Sequence, residues 1–131
     1  MTAVQNFSDS PQAAQSAAPR PGSPVVYIEV WHANEQEFLR LQLLCLERAP
    51  AELDARLFER MAAVCVSRAA LSDMLEDAYA QTQNIDGSWR GHCACRSTSM
   101  GDVLSLTVRG ERLYYVVCRE GFAPVRFHPQ G

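Results

Sequence analysis

Residues 96–127 read RSTSMGDVLSLTVRGERLYYVVCREGFAPVRF. They open with a polar turn, Arg96-Ser97-Thr98-Ser99-Met100-Gly101-Asp102, and continue as three short β-branched and aromatic runs at 103–108, 112–118 and 122–127. Arg109-Gly110 and Glu120-Gly121 sit at the two reversals, where glycine tolerates positive φ. The pattern predicts a three-stranded antiparallel meander. In the first run Val103, Ser105 and Thr107 alternate with Leu104, Leu106 and Val108, which predicts a strand with one apolar face. In the second, Leu113, Tyr115 and Val117 oppose Tyr114, Val116 and Cys118, so this strand is expected to be central. Pro124 places the third run at an edge, because proline offers no N–H to a ladder.

Upstream, residues 25–31 (VVYIEVW) are β-branched and aromatic and predict a strand between Pro24 and Asn34. Asn34 is the expected cap of a helix running to Glu47, with Glu37 three residues on as in a capping box. Phe38, Leu41 and Cys45, with Leu39, Leu43 and Leu46, predict a broad apolar face. Residues 51–66 repeat the helical spacing at Leu53, Leu57, Met61 and Val64/Cys65. Glu52, Asp54, Arg56, Glu59 and Arg60 fall on the outer side, with Glu52 and Arg56 as an i,i+4 pair. A third helix is expected from a Ser67 or Ser72 cap, with Leu71, Leu75, Ala78, Tyr79 and Thr82 on one side. Asp73, Glu76 and Asp77 suit its positive end. A turn at 84–88 follows, and Trp89 is expected to anchor onto the core. The fold class expected is α+β: an N-terminal strand, two to three helices, then the C-terminal meander. Residues 25–131 are read as one domain. Residues 1–24 are rich in Ala, Gln, Ser and Pro and are read as a disordered tail.

Of the 131 residues, 47% are hydrophobic, enough for a core, and the net charge of −3 disfavours indiscriminate attraction to nucleic acid. All twelve basic residues are arginine. The apolar runs fall short of the ~20 residues a membrane-spanning helix needs, and the first residues do not read as a signal peptide. Five cysteines without framework spacing read as reduced thiols, so a cytoplasmic location is expected and no membrane partner.

The run Leu75-Glu76-Asp77-Ala78-Tyr79, then Thr82-Gln83-Asn84-Ile85-Asp86 and Trp89, is followed by Arg96-Ser97-Thr98-Ser99-Met100-Gly101-Asp102-Val103, Tyr114-Tyr115-Val116 and Gly121-Phe122. In that order these motifs resemble the YodL-like small domains of plasmids, phages and conjugative elements, over residues 71–127. The family pattern is a helix, an Asn-containing turn, a Ser-rich S-x-S-x-G-D-V loop and strands ending in Gly-Phe or Gly-Trp. This chain departs from it just before Gly121, where Val117-Cys118-Arg119-Glu120 lacks the family's aspartate. The resemblance implies residence on a mobile element and help for incoming DNA against host defence; it implies no catalytic reaction.

His92-Cys93-Ala94-Cys95 is the nearest approach to a metal site, but it lacks the paired C-x2–4-C spacing of structural zinc. No metal or cofactor is expected. A cysteine nucleophile would need His32, His92 or His128 as its base, and nothing local in the sequence brings them together. Cys45 and Cys65 read as residues of apolar helix faces. The 97–102 loop could present N–H groups to phosphate, but it reads more simply as a capped turn with Asp102 fixing the start of the strand.

Trp89, Arg90, Arg96, Ser97, Ser99, Asp102, Arg109, Arg112, Tyr114 and Arg119 are the candidate surface for a protein or nucleic-acid contact. The leading expectation is a non-enzymatic protein that binds a host protein and inhibits a defence system of the CRISPR–Cas or restriction kind. The alternative is a nucleic-acid-binding accessory or regulatory protein. The strand edge near 122–127 also allows a homodimer.

Overall fold

The computed structural model describes residues 24–128 apart from Asp86, His92 and Cys93. Apart from Pro24, the expected tail lies outside the described residues, as do the first two members of the His-Cys-x-Cys run. Among these described residues the fold is α+β, with two α-helices and a five-stranded antiparallel sheet. The first strand, β1 (Val25–Ala33), is followed by α1 (Glu35–Glu47). Asn34 stands at the cap position of α1, but its side chain makes no capping bond. Its carbonyl accepts the Glu37 N–H, and its amide donates to the carbonyl of Arg56.

The second expected helix is absent. Residues 51–66 instead form β2 (Glu52–Asp54), a single 3-10 turn (Ala55–Leu57) and most of β3 (Phe58–Ser67). Ala, Leu, Arg, Glu and Met favour a helix locally, but pairing with β1 overrides that weak preference. A bulge hides the strand pattern: Val30 faces Ala62 and Trp31 faces Arg60, so Met61 is an extra residue on β3. One inserted residue reverses which face the side chains take. Phe58 therefore enters one core, and Val64 and Val66 the other, although all three share parity. Cys65 lies on this strand, not on a helix. Glu52 and Arg56 do not pair: Arg56 is held by Asp54, and Glu52 by Arg126 and His128.

The second helix, α2 (Leu71–Gln81), has Ala70 at its cap position. Neither Ser67, the last residue of β3, nor Ser72, inside the first turn, serves as cap. Met74, Leu75 and Ala78 form its buried face.

The meander follows as β4 (Val103–Val108), β5 (Glu111–Val117) and β6 (Phe122–Pro124). Strand order is β3-β1-β4-β5-β6, so β5 is the middle strand of the meander as expected, and β4 is the middle strand of the whole sheet. Pro124 sits on the edge strand as expected. The last run is not one strand: Val125 breaks it, and β7 (Arg126–His128) leaves the sheet to pair in parallel with β2.

The face of β4 that carries Leu104 and Leu106 is apolar as expected, and the face of Val103 and Ser105 is covered as well. From Val103 to Leu106 it is buried throughout. Leu104 and Leu106 pack with Ile28, Val30 and Val66 beneath Met74, Leu75 and Ala78 of α2. On the opposite face Val103 and Val116 pack with Leu41 and Cys45 of α1 and with Leu53 and Phe127 of the β2–β7 ladder. The alternation seen in sequence is thus one of two covered faces. Truncating a wholly buried leucine such as Leu104 to alanine costs about 2–5 kcal/mol. Among the described residues no helix is long and apolar enough to cross a membrane.

Candidate functional site

The polar turn before β4 is tied to the rest of the protein by a buried carboxylate. Asp102, wholly inaccessible to solvent, accepts the N–H groups of Ala33 (2.9 Å) and Ser99 (2.8 Å). It also accepts two bonds from Arg96, at 2.6 and 2.8 Å. Arg96 lies 4.0 Å over the ring of Phe38 and donates to the Ala33 carbonyl. Ser97 Oγ accepts the Asn84 N–H, and Asn84 Oδ1 accepts the Trp89 N–H. The Trp89 indole donates to the Arg96 carbonyl. Gly101 has φ +98°, and a Cβ there would stand 3.2 Å from Cβ of Leu41. The residues of the S-x-S-x-G-D pattern therefore join β1, α1, the end of α2 and β4.

His32 lies beside this knot. It is 4% exposed, with Nε2 2.9 Å from Thr98 Oγ1 and 3.8 Å from Asp102 Oδ2. Its Nδ1 is 3.9 Å from Cys95 Sγ. Burial pushes the pKa of His32 below its ordinary 6.5; the Asp102 charge opposes this, and the Arg96 and Arg90 charges add to it. His32 and Cys95 line a cleft of about 650 Å³, walled also by Asn34, Gln36 and Phe38 at the start of α1 and by Glu59 and Met61 of β3.

No family model, curated protein or solved structure matches this chain.

The ten candidate surface residues fall in separate places. Trp89, Arg96, Ser97, Ser99 and Asp102 make up the knot, where their polar groups bind one another. Arg90, half-buried, is near enough to His32 to act on its charge. Arg109 is at the β4–β5 turn with φ 52°. Arg112 is on the open part of the sheet, bound at 2.7 Å to Glu29, which also holds Arg60. Tyr114 packs on Phe127. Arg119 lines a separate depression with Glu76, Tyr79 and Phe122. Among the described residues no cluster of three or more His, Cys, Asp or Glu side chains could hold a metal ion.

Two features escaped the sequence reading. One is the meeting of His32 with Cys95, 63 residues apart in the chain, which needs the β1–β4 pairing. The other is α1. Leu39, Leu43 and Leu46, expected to share one broad apolar face with Leu41 and Cys45, are 65%, 56% and 48% exposed. At 3.6 residues per turn they occupy an arc of about 60° on the side of the helix away from Leu41 and Cys45. Five leucines in one 13-residue helix were the available signal, since a single buried face cannot take them all.

Proposed function

We propose that this chain is a binding protein, not an enzyme, and that it docks a protein partner along α1. The carrying observation is the ridge of Leu39, Leu43 and Leu46. Isolated apolar residues on a surface are ordinary, whereas a contiguous row marks a contact. Glu35 and Glu47 bracket the row, about 18 Å apart along the helix axis, and neither has an ion-pair partner among the described residues. The ridge thus fits an apolar groove or amphipathic helix with a basic side chain at each end. Covering three half-exposed leucines is worth roughly 3 kcal/mol.

The arginines of the C-terminal half support a nucleic-acid surface less well. Arg96, Arg112 and Arg126 each bind a carboxylate within the protein. The likeness to YodL-like domains supplies the partner class: a subunit of a host defence system, bound stoichiometrically by a mobile-element protein in the cytoplasm.

A nuclease-treated pull-down from bacterial lysate, run with the wild-type chain and with Leu43→Glu, tests this. The expected result is a near-stoichiometric protein with a defence role that the variant no longer retains. Recovery of nucleic acid, with proteins lost on nuclease treatment, would favour the nucleic-acid reading. Dimeric wild type beside monomeric Leu43→Glu would make the ridge a self-contact instead.

A further inference from the structure

We propose that the open edge of β3 takes an extended segment of a partner protein as an added strand, and that this segment alternates acidic with apolar side chains. The contact is independent of the ridge on α1.

β3 stands last in the strand order and pairs only with β1. In an antiparallel pair, residues whose N–H and C=O groups meet the neighbour alternate with residues whose groups point away. Two bonds fix which is which. The Arg68 N–H donates to the Pro24 carbonyl at 3.1 Å, which puts position 68, and with it Val66, Val64 and Ala62, on the paired side. The Gln81 amide, reaching from α2, donates to the Cys65 carbonyl at 2.8 Å, which puts Cys65 and Ala63 on the outward side. The N–H and C=O of Ala63 and the N–H of Cys65 therefore face away from β1, and no group among the described residues bonds them.

An unpaired edge is a template for another strand unless lysine, proline or a bulge spoils it. The Met61 bulge does so at one end of β3. Beyond it the run Ala62-Ala63-Val64-Cys65-Val66 carries neither charge nor proline, and Ala63 is exposed with a side chain too small to shield its backbone.

The two sides of this edge differ. Val64 and Val66 pack into the core beneath α2. Ala63 and Cys65 take the other side, next to Glu29 and Tyr27 of β1. There a depression of about 400 Å³ is lined by Tyr27, Arg60, Arg68 and Arg112, with Glu29 as its one carboxylate. Glu29 holds Arg60 through Nε and Arg112 through Nη1. Both Nη groups of Arg60 and the whole guanidinium of Arg68 bond nothing among the described residues. Three arginines against one carboxylate leave two positive charges in excess. A strand added about 4.8 Å from β3 sends alternate side chains to the two sides. Carboxylates on one side meet Arg60 and Arg68, and apolar side chains on the other extend the surface of Val64. Main-chain bonds to Ala63 and Cys65 hold the segment, and the two sides select its sequence.

The test follows the fluorescence anisotropy of a labelled heptapeptide of alternating glutamate and valine, titrated with the full chain. The expected result is saturable binding. Methylating the glutamate nitrogens, which face β3, should weaken it at least tenfold, whereas methylating the valine nitrogens, which face away, should not. Ala63→Pro removes an outward N–H, spares the β1 ladder and should also weaken binding at least tenfold. Arg68→Glu should weaken the glutamate peptide at least fivefold; this variant and the methylated peptides carry the test if Ala63→Pro fails to fold. No binding of the glutamate peptide, or equal effects of the two methylations, would overturn strand addition. Equal binding of a lysine–valine peptide, or tighter binding of a single-stranded oligonucleotide, would overturn the partner class. A wild-type dimer that Ala63→Pro makes monomeric would assign the edge to a second copy instead.

Discussion

Arg96 and Asp102 meet in two parallel hydrogen bonds, Nη1 to Oδ2 at 2.6 Å and Nη2 to Oδ1 at 2.8 Å, with the carboxylate wholly buried and the guanidinium one-third exposed. This pair locks the turn that leads into the central strand. Breaking a buried pair from one side leaves the other charge uncompensated. Asp102→Asn is therefore expected to lower unfolding stability by about 3–5 kcal/mol. Arg112→Gln, which removes only the half-exposed pair of Arg112 with Glu29, should cost no more than about 1 kcal/mol. Urea titrations of the two variants check this, and equal losses would contradict it.

Gly101 combines a left-handed φ of +98° with a Cβ position only 3.2 Å from Leu41, whereas Gly110, at +81°, has nothing near it. Both glycines relieve backbone strain; only the first also makes room for a neighbouring helix. Gly101→Ala should cost about 2 kcal/mol or more, and Gly110→Ala about 1 kcal/mol. Thermal unfolding of both variants separates the two contributions.

Arg109 and Gly110 join β4 to β5 in a two-residue loop with φ of 52° and 81°. Both values suit a type I′ turn, which favours asparagine followed by glycine. Arg109→Asn is expected to raise stability by up to about 1 kcal/mol. An unchanged or lower melting temperature would refute that expectation.

His32 makes stability depend on pH. Its pKa is lowered in the fold, so the unfolded chain binds a proton first as pH falls. The loss of stability begins near the unfolded value of about 6.5 and continues down to the lowered folded value; above it, both states are neutral. Melting temperature should therefore drop as the pH is lowered through about 6.5, and His32→Gln should flatten that drop. The same slope in wild type and variant would assign the effect to other groups.

What was legible in the sequence follows the range of the interactions involved. Strand β1, both helices and the two hairpin turns carry local signals, such as the β-branched run at 25–30 and the glycines at 110 and 121. The polar turn was legible as a turn because Ser, Gly and Asp favour local hydrogen bonds. Strand β3 was not, because its residues favour a helix and the Met61 bulge breaks its period of two. The departure of β7 was hidden because pairing with β2 depends on residues over 70 positions away. The cleft was hidden for the same reason. Arg96 and Asp102 were named for a surface contact, and only tertiary structure turns them towards each other.

The strand order β3-β1-β4 places β1, near the start of the described chain, directly beside β4, and Glu29 faces Ser105 across 76 positions. During synthesis from the N-terminus, β1, α1, β3 and α2 emerge before the strand that fills the middle of the sheet. Until residues 103–106 have left the ribosome, Ile28 and Val30 lack Leu104 and Leu106, and the buried face of α2 has only part of its floor. Such non-local pairing slows folding, because the connecting loop must close before its contacts form. Nascent chains halted before Val103 should be digested readily by protease, and those extended past Val117 should resist it.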